Sequence, residues 1–178
     1  MYWQNLRAFA AFSVAGIVSL GVFARPASAQ DRPAPVVELA AGALLFPDDG
    51  ITVRESLVGG AARFYLLPRI SVGPEIAYIR GRTHSHLMLT GNITFDVVRS
   101  VNGQPPRVTP FVLAGGGLYR TRESFSGRDF RSSEGAFTAG GGIRAHLGHR
   151  VTAGVEARIG WELHLRVNAM LGFRLGGV

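Results

Sequence analysis

The chain has 178 residues, 19 arginines, no lysine, 12 acidic residues and no cysteine, giving a formal charge of +7. The absence of cysteine excludes a disulfide scaffold, and the absence of lysine excludes the Gly-Lys-Ser/Thr ending of a phosphate-binding Walker loop. The isoelectric point near 11 raises nucleic acid as a partner. The arginines, however, occur singly, often beside acids and never as a basic run, which argues against it.

The first residues carry a positive start at Arg7, an apolar run from Ala8 to Ala24, and then Pro26-Ala27-Ser28-Ala29-Gln30. That order is what a signal peptidase reads, so cleavage is expected after Ala29, leaving residues 30–178 as a single exported domain. Beyond this leader no apolar stretch approaches the length of a helical span. Any membrane crossing therefore falls to strands.

From Pro35 onward the hydrophobic period is two. Alternating segments recur at about 36–46, 55–67, 70–80, 86–98, 108–120, 135–147, 151–161 and 163–175, predicting eight strands. The fourth is clean, with Leu87, Leu89, Ile93, Phe95 and Val97 against His86, Thr90, Asn92, Thr94 and Asp96. In the fifth, Val112, Ala114 and Leu118 compete with Phe111, Leu113 and Tyr119 for the apolar face. The last two are clean again: Val155, Ala157, Ile159 and Trp161 oppose Glu156 and Arg158, while Leu165, Val167, Leu171 and Phe173 oppose Arg166, Asn168 and Arg174.

Most of these runs exceed the usual strand of about 5–6 residues and match the roughly 9–11 needed to cross a bilayer at a tilt. Connections at Leu67–Ile70, Ser100–Arg107 and Gly148–Arg150 read as turns, and Arg120–Glu134 reads as a longer polar loop. Turns at one end and loops at the other predict an up-and-down antiparallel transmembrane β-barrel. Aromatic residues are expected as two girdles, with Phe64, Phe95, Phe111 and Phe173 toward the turns and Tyr78, Tyr119, Phe137 and Trp161 toward the loops.

Parity turns Glu38, Arg63, Glu75, Asp96, Arg144, His146, Glu156, Arg158, His164, Arg166 and Arg174 to the polar face. In an eight-stranded transmembrane barrel that face is expected to be the interior, where each enclosed guanidinium requires a carboxylate or ordered water, whereas a soluble barrel would turn it to solvent; parity alone fits both. The glycines at 59–60, 115–117 and 140–142 then make room for long polar side chains. They lack the G-x-G-x-x-G spacing of a dinucleotide fold, since Arg120 and Ala145 stand where its last glycine belongs.

Pro110-Phe-Val-Leu-Ala-Gly-Gly-Gly-Leu-Tyr119, Ala139-Gly-Gly-Gly-Ile-Arg144 and the closing Leu171-Gly-Phe-Arg-Leu175 give the chain a resemblance to the small outer-membrane β-barrel proteins of Gram-negative bacteria, the group that includes the OmpA transmembrane domain, OmpX and OmpW. The resemblance covers residues 30–178. It implies residence in the cell outer membrane, with membrane lipids and the barrel-assembly machinery as partners. Family members commonly finish on an aromatic residue that this machinery reads, whereas here Gly176-Gly177-Val178 follows Leu175.

Catalysis finds little support. Thr83-His84-Ser85-His86 is the one His/Ser cluster, with Glu162 and His164 expected near the same rim. The His-x-Ser order of barrel lipid deacylases is not met, and two imidazoles without a third ligand do not define a metal centre. No cofactor, metal or catalytic residue is expected. Arg80, Arg82, Arg120, Arg122, Arg128 and Arg131, at the loop ends, are candidate contacts for lipopolysaccharide phosphates. The expected role is structural or interactive within the envelope. The alternatives are OmpW-like passage of small hydrophobic molecules, or a soluble secreted barrel carrying lipid in an apolar lumen.

Overall fold

The computed structural model describes residues 33–48, 51–81, 84–98, 106–125, 128–160 and 164–176. The expected leader and cleavage site lie outside these residues, as do Arg82, Trp161 and Glu162. Eight strands follow one another: β1 Val36–Asp48, β2 Ile51–Leu67, β3 Ile70–Arg80, β4 His84–Asp96, β5 Val108–Phe125, β6 Arg128–His146, β7 Val151–Gly160 and β8 Leu165–Arg174. Each pairs antiparallel with the next, and β8 returns to β1, from Val36↔Arg174 to Leu45↔Leu165, closing the barrel. Around the closed wall every strand has a partner on both sides, which is the condition for a sheet to enter lipid.

The registers also fix the stagger. A row of directly opposed residues that leaves β6 at Arg131 passes Arg122, Ser85, Arg80, Ser56, Ala43, Val167 and Ala157, and returns to β6 at Gly141, ten residues further along. With eight strands and this shear, the lumen is wide enough for side chains to fill.

Alternation decides which face is which. Outward-facing positions are apolar over stretches of nine to eleven residues on every strand: Val37 to Leu45, Val58 to Leu66, Ile70 to Tyr78, Leu87 to Val97, Val108 to Leu118, Phe137 to Leu147, Val151 to Ile159 and Leu165 to Leu175. None of these outward positions carries a charge, and many of their large side chains are half or more exposed, Leu39 at 57% and Ile93 at 60% among them. A surface this apolar is costly in water at about 25 cal/mol per Å² and suited to hydrocarbon. Its height in residues is that of a bilayer crossing. Charges inside and apolar side chains outside are the reverse of what a lipid-carrying lumen requires.

Two sequence expectations need correction. Arg120–Glu134 is a paired hairpin and not a loop, with Arg120↔Ser133, Arg122↔Arg131 and Phe125↔Arg128 in register. Its two arms pair with each other while the sequence alternates no apolar face, so hydrophobic period gives no signal there. The widest gap between consecutive strands, from Asp96 to Val108, lies at the opposite rim, among the turns.

The girdles are also thinner than expected. Phe64, Tyr78, Phe95, Phe137 and Phe173 do face outward. Phe111, however, is 2% exposed and lies inside, and Tyr119 is half-buried with its ring stacked on His86 at 4.8 Å. Both belong to the strand whose two faces are apolar in sequence. The absence of a side chain at Gly142 on β6 leaves space for the Phe111 ring, which a Cβ there would meet at 2.9 Å.

Candidate functional site

The interior is organised from the terminal rim, where β1 begins, to the hairpin rim, where β1 meets β2. Nearest the terminal rim, Arg63 donates to both oxygens of Glu38, through Nε at 2.9 Å and Nη2 at 2.7 Å, and through Nη1 to the Tyr65 hydroxyl at 2.9 Å. That hydroxyl donates to Asp96 Oδ2 at 3.1 Å, and Arg144 Nη1 donates to Asp96 Oδ1 at 2.7 Å. The Arg144 guanidinium lies 3.6 Å from the centroid of Phe111. Bidentate pairing and stacking suit arginine's flat fork, which lysine lacks.

At mid-height, Arg158 bridges Glu75 Oε2 at 2.6 Å and Glu156 Oε2 at 2.8 Å. Arg166 Nη2 lies 2.5 Å from Glu75 Oε1. Asn92 and Asn168 donate to Glu75 and Glu156 at 2.7 and 2.8 Å. Four buried carboxylates thus face four buried guanidiniums in two clusters. The balance matters, because a lone buried charge costs several kcal/mol. Arg174 and His146 are half-buried near the terminal rim, outside both clusters, and His164 is buried with its ring 5.5 Å from that of Phe46.

Glycine makes this filling possible. A Cβ at Gly142 would come within 2.8 Å of Glu156 Cα and 2.9 Å of the Phe111 ring. One at Gly115 would collide with Asn92 Oδ1. Gly115 therefore leaves room for the Asn92 side chain, while Gly117, Gly140 and Gly142 let β5 and β6 lie close against the backbone of β4 and β7.

Above the charged layers sits a small apolar layer, Leu44, Leu57, Ala77, Ile79 and Met88. Over it, at the hairpin rim, Glu55 contacts His84, and His86 Nε2 lies 3.8 Å from the second Glu55 oxygen. The carboxylate beside this His pair is Glu55, which stands on β2, one strand beyond the neighbour of β4, and not the Glu162 expected near the same rim. Glu162 is outside the described residues.

The candidate surface arginines assemble on the outer face. Arg80, Arg122 and Arg131 share one register row with Ser56 and Ser85, and Arg120 lies one outward position below. All four arginines are exposed. The row of Arg120 also holds Val58, Tyr78 and Leu87, and the next reads Gly60, Ile76, Leu89, Leu118. Apolar wall thus gives way to cations within one or two outward positions. Arg128 enters this picture only through its backbone in β6, and its side chain, like Arg82, is outside the described residues.

A closed antiparallel barrel with a charged interior, an apolar outer wall of bilayer height and a cationic rim defines a transmembrane barrel of the outer-membrane type. No family model matches the sequence, and no curated protein does. Among solved structures, the chain is similar to Neisserial surface protein A (TM-score 0.66, 11% identity, 79% of this chain and 97% of that one). It is also similar to the N-terminal β-barrel domain of Pseudomonas aeruginosa OprF (0.59, 14%, 79% and 97%) and to Ail, the attachment invasion locus protein of Yersinia pestis (0.51, 15%, 82% and 99%). The shared property is the fold of the small eight-stranded outer-membrane barrels.

Proposed function

We propose that this chain is an outer-membrane barrel with a structural, envelope-interacting role and no catalysis, and that its arginine rim holds anionic lipid, with lipopolysaccharide phosphates as the matching chemistry. The observation that carries the reading is the row Ser56, Arg80, Ser85, Arg122, Arg131, with Arg120 one outward position below it and an uncharged outer wall beneath Arg120. Arg122 and Arg131 are directly opposed, which puts two guanidinium-bearing side chains side by side at the height of a phosphate layer. Serines interleave with the arginines and add hydroxyl donors for phosphate oxygens. Ail has also been crystallised with the heparin analogue sucrose octasulfate, so a polyanion binds a barrel of similar fold.

The test uses residues 30–178 refolded into detergent and titrated with lipopolysaccharide. Replacing Arg80, Arg120 and Arg131 together by glutamine is expected to weaken binding at least tenfold and flatten its salt dependence, while the heat-dependent gel mobility of the barrel persists. Unchanged affinity and salt dependence in that variant would remove the reading of the rim.

A further inference from the structure

Glu55 stands apart from the charge balance of the barrel. Among the described residues, the other four buried carboxylates each contact a guanidinium, whereas the ion pairs of Glu55 are with His84 and His86. Its side chain is 1% exposed, and its Oε2 accepts no hydrogen bond while facing His86 Nε2. A buried anion in that position requires a cation.

The surroundings are built toward one. Glu55, His84 and His86 each present a ligand atom, and these atoms lie within 4.8 Å of one another. His86 Nδ1 is engaged by Thr121 Oγ1 at 3.0 Å and its ring is stacked on Tyr119, which leaves Nε2 turned to the carboxylate. Fixing the far nitrogen of a ligating imidazole in this way is the usual support of a metal-binding histidine. Gly81 completes the enclosure, since a Cβ there would meet both Glu55 Oε1 and His84 Nε2.

We infer that Glu55, His84 and His86 form a binding site for a divalent transition-metal cation, zinc being the matching ion, at the hairpin rim of the barrel. Two neutral imidazoles and one carboxylate are a three-ligand zinc set, with the fourth position left to water at the mouth. A doubly charged ion would also offset Glu55 better than two imidazoliums, whose rings, 4.8 Å apart, would repel each other.

The test is made on refolded residues 30–178 in detergent, carrying no polyhistidine tag and freed of metal by a chelator. Titration with zinc chloride is followed by calorimetry and by the imidazole nitrogen resonances. One ion per chain is expected, with His84 and His86 resonances shifting and those of His146, His149 and His164 unmoved. Affinity is expected to fall more than tenfold in Glu55→Gln. Unshifted His84 and His86 resonances in the unaltered chain would overturn the proposal whether or not the variant folds. Zinc binding unchanged by a folded Glu55→Gln would overturn it as well.

Discussion

Arg158 on β7 donates to Glu75 on β3 across the full width of the barrel, at 2.6 Å and 83 residues apart in sequence. The pair joins opposite walls. It is also inseparable from its neighbours, because Arg158 holds Glu156 as well, and Glu75 receives Arg166 and Asn92.

Glu75→Gln should therefore destabilise the barrel strongly. Removing one partner leaves buried arginines short of charge, a loss of about 3–5 kcal/mol. The urea midpoint for loss of the fast-migrating folded band is the readout, and a midpoint equal to the parent's would contradict a connected interior network.

Glycine substitutions should divide by the space around them. Gly142→Val meets backbone at Glu156 and should yield little folded barrel, whereas Gly91→Ala, whose added Cβ meets nothing within 4 Å, should fold like the parent. Refolding yield in detergent separates the two. Equal yields would mean that the lumen is looser than its packing indicates.

Charge on the outer wall should be penalised by depth. Leu89→Arg falls in the apolar band and is expected to cost about 2–4 kcal/mol, while Ser56→Arg falls in the arginine row and should cost about 0–1 kcal/mol. Equal penalties, measured by equilibrium unfolding from lipid vesicles, would displace the band from where the registers put it.

Aromatic placement can be read with brominated lipid in a Trp161→Phe background. Phe137→Trp is on the outer wall and should be quenched. Phe111→Trp lies against Arg144 inside the lumen and should not be, with the opposite pattern restoring Phe111 to a girdle.

The strand number and the membrane-facing alternation were legible because period two survives wherever one face meets lipid. Leu165 to Leu175 shows this most plainly. Phe111 and Tyr119 were misplaced because strand β5 is apolar on both faces, and only the registers with β4 and β6 resolve its parity. The hairpin from Arg120 to Glu134 was hidden for the converse reason, since both of its faces are polar. Glu55 was out of reach for a third: it meets His84 and His86 past the end of an intervening strand, and no spacing along the chain encodes that meeting.

The most direct measurement is a denaturing gel of residues 30–178, boiled and unboiled, after refolding with and without detergent. The barrel with lipid outside and charges within predicts a faster band in the unboiled detergent sample alone. A chain that stays folded and soluble without detergent would contradict it, because an uncharged outer wall nine to eleven residues high could not then be facing water.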